Sequence, residues 1–215
     1  MSALRRIAAI GDIHAEDRTL ERVLDHLTGL SLDRILAVGD IVDGPGDSAR
    51  CCRLLAAARV EAVRGNHDRW ALKDQLRNLP GALAALDPDQ RRFLEALPAT
   101  RDYQTALGPL LLCHGLGADD MCRLTDDDFG YALETNDPLQ ELLATEQYRF
   151  VVNGHTHRRM VRRFGPLTII NAGTLFREDD PCFAVIDFAA GLVEFFDVTP
   201  DRIASAAVHP LAAHP

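Results

Sequence analysis

The sequence lacks the features that mark secreted and membrane-embedded proteins. Its five cysteines (Cys51, Cys52, Cys113, Cys122 and Cys182) are odd in number and show no C-x-x-C spacing. Neither a disulfide framework nor a thiolate zinc site is therefore expected, and a reduced, cytoplasmic setting fits best. No run of about 18 apolar residues occurs, so no membrane-spanning helix is expected. The stretch Met1 to Ile10 carries Arg5 and Arg6 but too few apolar residues before Gly11 and Asp12 to form the core of a secretory signal. A basic surplus is also missing: 23 basic residues face 32 acidic ones, for a net charge of −9. No surface for nucleic acid or anionic lipid is expected from that balance, and a small phosphate-bearing substrate would have to be attracted locally. No repeat of solenoid period is present, and nothing in the pattern demands an oligomer.

What is present is a chain of 215 residues, 47% of them apolar, long enough to bury a core of its own. A single domain over residues 1–203 is expected. The alanine-, proline- and histidine-rich stretch 204–215 reads as a tail without regular structure. Short apolar stretches read as buried strands at Ile7–Ile10, Ile35–Val38, Glu61–Val63, Leu110–Cys113 and Phe150–Val152. Between the first two, Leu20, Val23, Leu24 and Leu27 follow the i, i+3, i+4, i+7 spacing of a helix with one core face, with Asp17 as its expected cap. Ser48–Arg59 reads as a second helix, and the Trp70–Ala99 and Thr125–Gln147 regions as two short helices each. After His157 the pattern turns to short β-prone runs around Met160–Phe164, Leu167–Asn171, Phe183–Phe188 and Leu192–Val198, separated by glycine turns. The expected fold class is α/β, with a mixed sheet that is parallel in its first half, rich in hairpins in its second, and flanked by helices.

The polar residues that follow these strands carry the chemistry. Asp12 and His14 follow the first strand, Asp40 and Asp43 the second, Asn66 and His67 the third, His114 the fourth, and His155 and His157 the fifth. In an open α/β sheet the carboxyl ends of the strands line the ligand crevice, so these loops should converge. Five of the eight histidines fall in the set. Carboxylate, amide oxygen and imidazole without thiolate suit Mn, Fe, Co, Ni or Zn in a catalytic rather than a structural site. A carboxylate such as Asp40 can bridge two ions, and such a pair can lower the pKa of a shared water and clamp a phosphoryl oxygen.

The segments Gly11-Asp12-Ile13-His14, Gly39-Asp40-Ile41-Val42-Asp43, Gly65-Asn66-His67-Asp68, His114-Gly115 and Gly154-His155-Thr156-His157 occur in an order that resembles the calcineurin-like metallophosphoesterase superfamily, within it the compact bacterial and archaeal phosphodiesterase-like members. Asn171-Ala172-Gly173-Thr174 is similar to a glycine-containing turn of those members. The resemblance implies an αββα sandwich and two divalent metal ions, with manganese favoured. It implies that Asp12, His14 and His157 hold one ion, that Asn66, His114 and His155 hold the other, and that Asp40 bridges them. His67 would be the catalytic histidine that protonates the leaving oxygen, and Asp43 the residue that orients it. The implied activity is phosphodiester hydrolysis by a hydroxide shared between the metals. The alternatives are a phosphomonoesterase or protein phosphatase, and a non-catalytic scaffold of the same fold, against which the full histidine set argues.

The sequence departs from the phosphoprotein phosphatases at Gly44-Pro45, where that branch carries a phosphate-gripping arginine, and at Asp68, where it carries glutamate. Arg158, Arg159, Arg162 and Arg163 read as a solvated strand face from which one guanidinium could reach a substrate, and Arg64 shares that ambiguity. Asp126-Asp127-Asp128 reads as a helix N-terminus, and Cys51-Cys52 as helix-face residues.

Overall fold

The computed structural model describes residues 3–75 and 85–211. Part of the Trp70–Ala99 region expected to hold two short helices, 76–84, lies outside those residues, as does the end of the expected tail, 212–215. Eleven strands and six helices are described, in two sheets. The first sheet contains β1 (Arg6–Ile10), β2 (Arg34–Ala37) and β3 (Glu61–Ala62), joined by α1 (Asp17–Thr28) and α2 (Ser48–Ala57). These three strands are parallel, as right-handed crossover units predict. The helix α3 (Asn66–Leu72) leaves the end of β3, and α4 (Pro88–Glu95) follows. The chain then builds a second sheet from the hairpin β4 (Arg101–Thr105) and β5 (Gly108–Leu112), passes through α5 (Tyr131–Glu134) and α6 (Asp137–Thr145), and adds β6 (Phe150–Asn153), β7 (Met160–Phe164) and β8 (Leu167–Asn171) in the order β4-β5-β6-β8-β7. It then returns to the first sheet, where β9 (Cys182–Asp187) pairs antiparallel with β1. The meander β9, β10 (Leu192–Val198) and β11 (Ile203–Pro210) completes that sheet in the order β11-β10-β9-β1-β2-β3.

Strand alternation explains the layering. Ile7 and Ala9 pack between the sheets with Leu36, Leu110, Leu112, Val152, Ile170 and Phe195. Ala8 and Ile10 point the other way, onto Leu20, Val23, Leu27 and Leu55 of α1 and α2. On the far side, Leu111, Val151 and Ile169 meet Leu139 and Leu142 of α6. Helices, sheet, sheet and helix form the expected αββα sandwich.

Several local expectations give way. The stretch expected as a tail begins inside β11, which pairs along its length with β10, and Leu211 is buried at its end. Alanine carries too little β-propensity to announce that strand, and only its pairing with β10 secures it. The cap of α1 is Glu16, not Asp17. Asp17 instead turns its carboxylate to the backbone N–H of Asp47 and the guanidinium of Arg50. Asp126–Asp128 forms a turn rather than a helix start: Asp128 accepts from the backbone and hydroxyl of Thr125, and Arg162 donates to the carbonyls of Thr125 and Asp128. The helix begins only at Tyr131, beyond Gly130.

Candidate metal centre

The loops after β1, β2, β3, β5 and β6 meet at one end of the sandwich, and all nine residues singled out after the strands lie there. Five of them, His14, Asp40, Asp43, His155 and His157, adopt positive φ (45°, 48°, 61°, 70° and 61°). Such conformations are disfavoured for non-glycine residues and cluster where a site dictates the backbone. The loops press on one another closely enough to demand glycine at their contacts. A Cβ on Gly44 would sit 1.7 Å from the carbonyl oxygen of His14, and one on Gly65 would sit 2.4 Å from the backbone nitrogen of Asp40.

Two clusters of donors result, with Asp40 between them, and a third grouping, His14, Asp40 and His67, overlaps both. In the first, the Nε2 atoms of His14 and His157 stand 3.0 Å apart, grouped with a carboxylate oxygen of Asp12. The outer nitrogens of both rings are committed. His14 Nδ1 donates to the carbonyl of Asp43 at 2.8 Å, and His157 Nδ1 to Asp179 at 2.5 Å. In the second, His114 Nδ1 donates to the carbonyl of Val38 at 2.8 Å, leaving Nε2 directed at Asn66 Oδ1 (2.8 Å) and Asp40 Oδ2 (3.3 Å). His155 Nδ1 lies 3.0 Å from the same Asn66 oxygen. Asp40 Oδ2 is also 3.8 Å from His14 Nε2, so one carboxylate oxygen serves both clusters.

In their neutral tautomers these imidazoles present lone pairs to each other and to carboxylate or amide oxygens. Mutually facing acceptors need a cation among them, and the mixture of donors suits borderline divalent metals. The second nitrogens of His14, His114 and His157 are held by carbonyls or a carboxylate, as metal-binding histidines require. Asp12, Asp40, Asn66 and His114 are buried. Burial lowers the pKa of His14 despite the opposing fields of Asp40 and Asp12, and it lowers that of His155 together with the charge of His114. For His114 burial is outweighed by the charge and hydrogen bond of Asp40, and its pKa is pushed up to about 10.

His67 stands beside the clusters. Its backbone N–H donates to Asp40 and its Nδ1 to Asp43 Oδ2 at 3.0 Å. Burial opposes its charged form, but the Asp43 hydrogen bond and the Asp40 and Asp43 charges prevail, and its pKa is raised. Trp70 and His14 flank the ring edge-on, each with centroids 4.9 Å away. Asp68, the departure noted above, is fully buried and accepts from the backbone of Ile41, Val42 and Gly65, tying the second and third loops together.

The loop between β8 and β9 was not anticipated. Phe176 lies against His14 and His157, Asp179 holds His157, and Glu178 lines the crevice. Arg177 straps this loop down: its backbone and guanidinium donate to the buried Glu16 at 2.7 to 3.0 Å. The only cue in the sequence is the adjacency of Phe176 to the Asn171–Thr174 turn, which itself folds against β1: Thr174 Oγ1 donates to the carbonyl of Asp12.

Two neighbouring spaces open from the centre. A cavity of about 260 Å³ is lined by His14, Asp40, Asn66, His67, His157 and Phe176. A larger one of about 850 Å³ runs past His155 and His157 between Arg123, Asp126, Arg158 and Glu178. Of the basic run after His157, Arg158 pairs with Asp127 (3.1 Å), Arg159 with Asp197 (2.6 Å), and Arg162 and Arg163 donate to backbone carbonyls. Arg158 and Arg163 are exposed, as expected of a solvated face, whereas Arg159 and Arg162 are half-buried ties. Arg64, half-buried, lines neither space. Cys51 and Cys52 are buried helix residues, as expected.

A four-layer α/β sandwich with a histidine- and carboxylate-rich centre at its strand ends defines a metal-dependent phosphoesterase fold. Residues 6–191 match the calcineurin-like phosphoesterase superfamily domain, and the chain belongs to that superfamily. It is 35% identical over 69 residues to serine/threonine-protein phosphatase 1 of Salmonella typhimurium, covering 32% of each chain. It is 33% identical over 101 residues to an uncharacterized protein of Methanocaldococcus jannaschii, covering 43% of this chain and 42% of that one. Each match thus spans less than half of the relative's length. The crystal structure of a metallophosphoesterase from Sphaerobacter thermophilus shares the fold with a TM-score of 0.68 at 22% identity, over 92% of this chain and 89% of that one. Among the described residues, no helix is long and apolar enough to cross a membrane.

Proposed function

We propose that the protein hydrolyses small phosphodiester or nucleotide-like substrates at a centre of two divalent ions, manganese first among the candidates. The observation that carries this reading is the facing of acceptor atoms across Asp40, which leaves two adjacent places for cations. Asp12, His14 and His157 would hold one ion, Asn66, His114 and His155 the other, and Asp40 both. When bound, the ions supply Lewis-acid polarisation of the phosphoryl oxygens and of an attacking water.

The rest of the work falls to the chain itself. The Asp43 carboxylate keeps the Nδ1 proton of His67 in place and raises the ring's basicity, favouring the protonated form that gives a proton to the leaving oxygen. Trp70 fixes the ring from the side, and Phe176 covers His14 and His157, excluding water from part of the crevice. Asp126, Glu178 and Asp180 in the outer cavity have no ion-pair partner among the described residues, and they disfavour a dianionic monoester more than a monoanionic diester.

The test is metal analysis joined to hydrolysis of bis(p-nitrophenyl) phosphate and p-nitrophenyl phosphate, with and without Mn²⁺, on wild type and Asp40→Asn. About two ions per chain and a metal-dependent diesterase rate lost in the variant are expected. A protein that binds no metal and cleaves neither ester would sink the proposal and favour a scaffold role. The local identity to a serine/threonine-protein phosphatase supports a second reading, a phosphomonoesterase, which a faster monoester rate would favour. Gly44 weighs against it, since no arginine can stand there.

A further inference from the structure

In the proposed centre the ions would face some of the phosphoryl oxygens, and the loop after β2 offers no side-chain cation for those left over. Gly44 lies against the His14 carbonyl, leaving no room even for a methyl group. Three arginines line the outer cavity. Arg158 is bound to Asp127 and Arg159 to Asp197. Two more arginines near the loops are also committed, Arg69 to Asp120 through two hydrogen bonds (2.6 and 2.8 Å) and Arg177 to Glu16. Arg123 is different: its guanidinium has no ion pair or hydrogen bond among the described residues, and the side chain is exposed in the cavity that His155 and His157 border. Its base is nevertheless fixed. The Arg123 carbonyl accepts from Asn136 Nδ2 at 3.0 Å, the Cys122 thiol donates to Asn136 Oδ1 at 3.2 Å, and Leu124 is buried. A long cationic side chain on a pinned backbone, with no ion pair among the described residues, shares open space with the metal loops.

We propose that Arg123 is the substrate-gripping residue of this site, its guanidinium donating to a non-bridging oxygen of a phosphodiester bound at the metal loops. The inference rests on the phosphoesterase reading and adds its specificity. Arg123 supplies one fixed positive charge, while Asp126, Glu178 and Asp180 around it have no ion pair among the described residues. One free cation among three carboxylates disfavours a dianionic substrate more than a monoanionic one. Guanidinium geometry matches two phosphate oxygens at once, which an ammonium cannot do.

The test compares wild type, Arg123→Ala and Arg123→Lys as Mn²⁺-loaded proteins. Metal content, melting temperature, diester kinetics and calorimetric binding of inorganic phosphate are measured on each. Arg123→Ala is expected to raise KM for bis(p-nitrophenyl) phosphate and weaken phosphate binding about tenfold, the scale of one charge-assisted contact, with metal content and melting temperature unchanged. Arg123→Lys should recover part of both. Unchanged KM and phosphate affinity in Arg123→Ala would overturn the proposal. If wild type cleaves neither ester, the phosphoesterase reading fails by itself, and phosphate binding alone decides on Arg123.

Discussion

Glu16 is 1% exposed and accepts three hydrogen bonds from Arg177, two of them from the guanidinium. Arg177→Ala removes both guanidinium donors and leaves a buried carboxylate with a single backbone N–H from that loop. Stripping the partner from a buried ion costs about 3 to 5 kcal/mol when water cannot follow. Here the Arg177 side chain is 55% exposed, so its truncation admits water to Glu16 and the expected loss falls to about 2 kcal/mol. For a chain of this size that corresponds to a fall in melting temperature of about 6 °C. Urea and thermal unfolding of Arg177→Ala, Glu16→Gln and the double variant would measure it. The double variant should be more stable than the sum of the single effects implies, because the amide that replaces the Glu16 carboxylate carries no charge in need of a partner. Since the strap also carries Phe176 and Asp179 onto His157, metal affinity should fall in Arg177→Ala. If its stability stays within about 0.5 kcal/mol of wild type, the ion pair is a surface contact and the reasoning is wrong.

Gly44→Ala should lower stability by about 3 kcal/mol and reduce metal content, because its Cβ would overlap the His14 backbone and neither loop can yield; normal metal content in a folded variant would contradict this. Asp43→Asn should lower the pKa of His67: the raised value keeps the ring protonated to higher pH, so the alkaline limb of the diesterase pH profile is expected to move to lower pH, and an unmoved limb would remove His67 as the acid. His67→Ala should reduce turnover about 10²- to 10⁴-fold with metal content unchanged, which plasma mass spectrometry checks. Removing divalent ions with a chelator should lower the melting temperature by about 5 to 10 °C if the ions were present near 100 times their dissociation constant, because Asp12 and Asp40 are left buried together; an unshifted melt would argue against a resident metal.

What could be read from the sequence followed physical strength. The apolar period of α1 and the short runs of β1, β2 and β6 are dictated by burial on one or both faces, and the structure places them within a residue or two of expectation. Residues just past strand ends converge for topological reasons, so Asp12, His14, Asp40, Asn66, His67, His114, His155 and His157 could be gathered without any distance. β4 was invisible because Arg101–Thr105 is half-exposed and polar, and β11 because its alanines say little until β10 lies beside them. The Phe176–Asp179 rim was invisible for another reason. An acidic loop reads as solvated, and only the long-range pairing of Arg177 with Glu16 reveals that it is held inward. Of the arginines after His157, Arg158 and Arg163 are exposed as expected, whereas the partner that draws Arg159 inward, Asp197, is distant in sequence.

The antiparallel pairing of β1 with β9 also bears on how the molecule assembles. β1 is an inner strand of its sheet, yet one of its neighbours, β2, follows after a single helix, whereas the other arrives only after the entire second sheet has been made. Contacts of that sequence separation are slow to form. During synthesis, β1 to β3 would emerge with one flank of β1 unpaired and with the early candidate donors, Asp12 and Asp40 among them. Completion waits for His155, His157 and then β9. The early chain is therefore a species with an open sheet edge and clustered carboxylates. In the proposed centre, an ion held by Asp12 and Asp40 and by the late loops would couple its binding to the closing of the sheet.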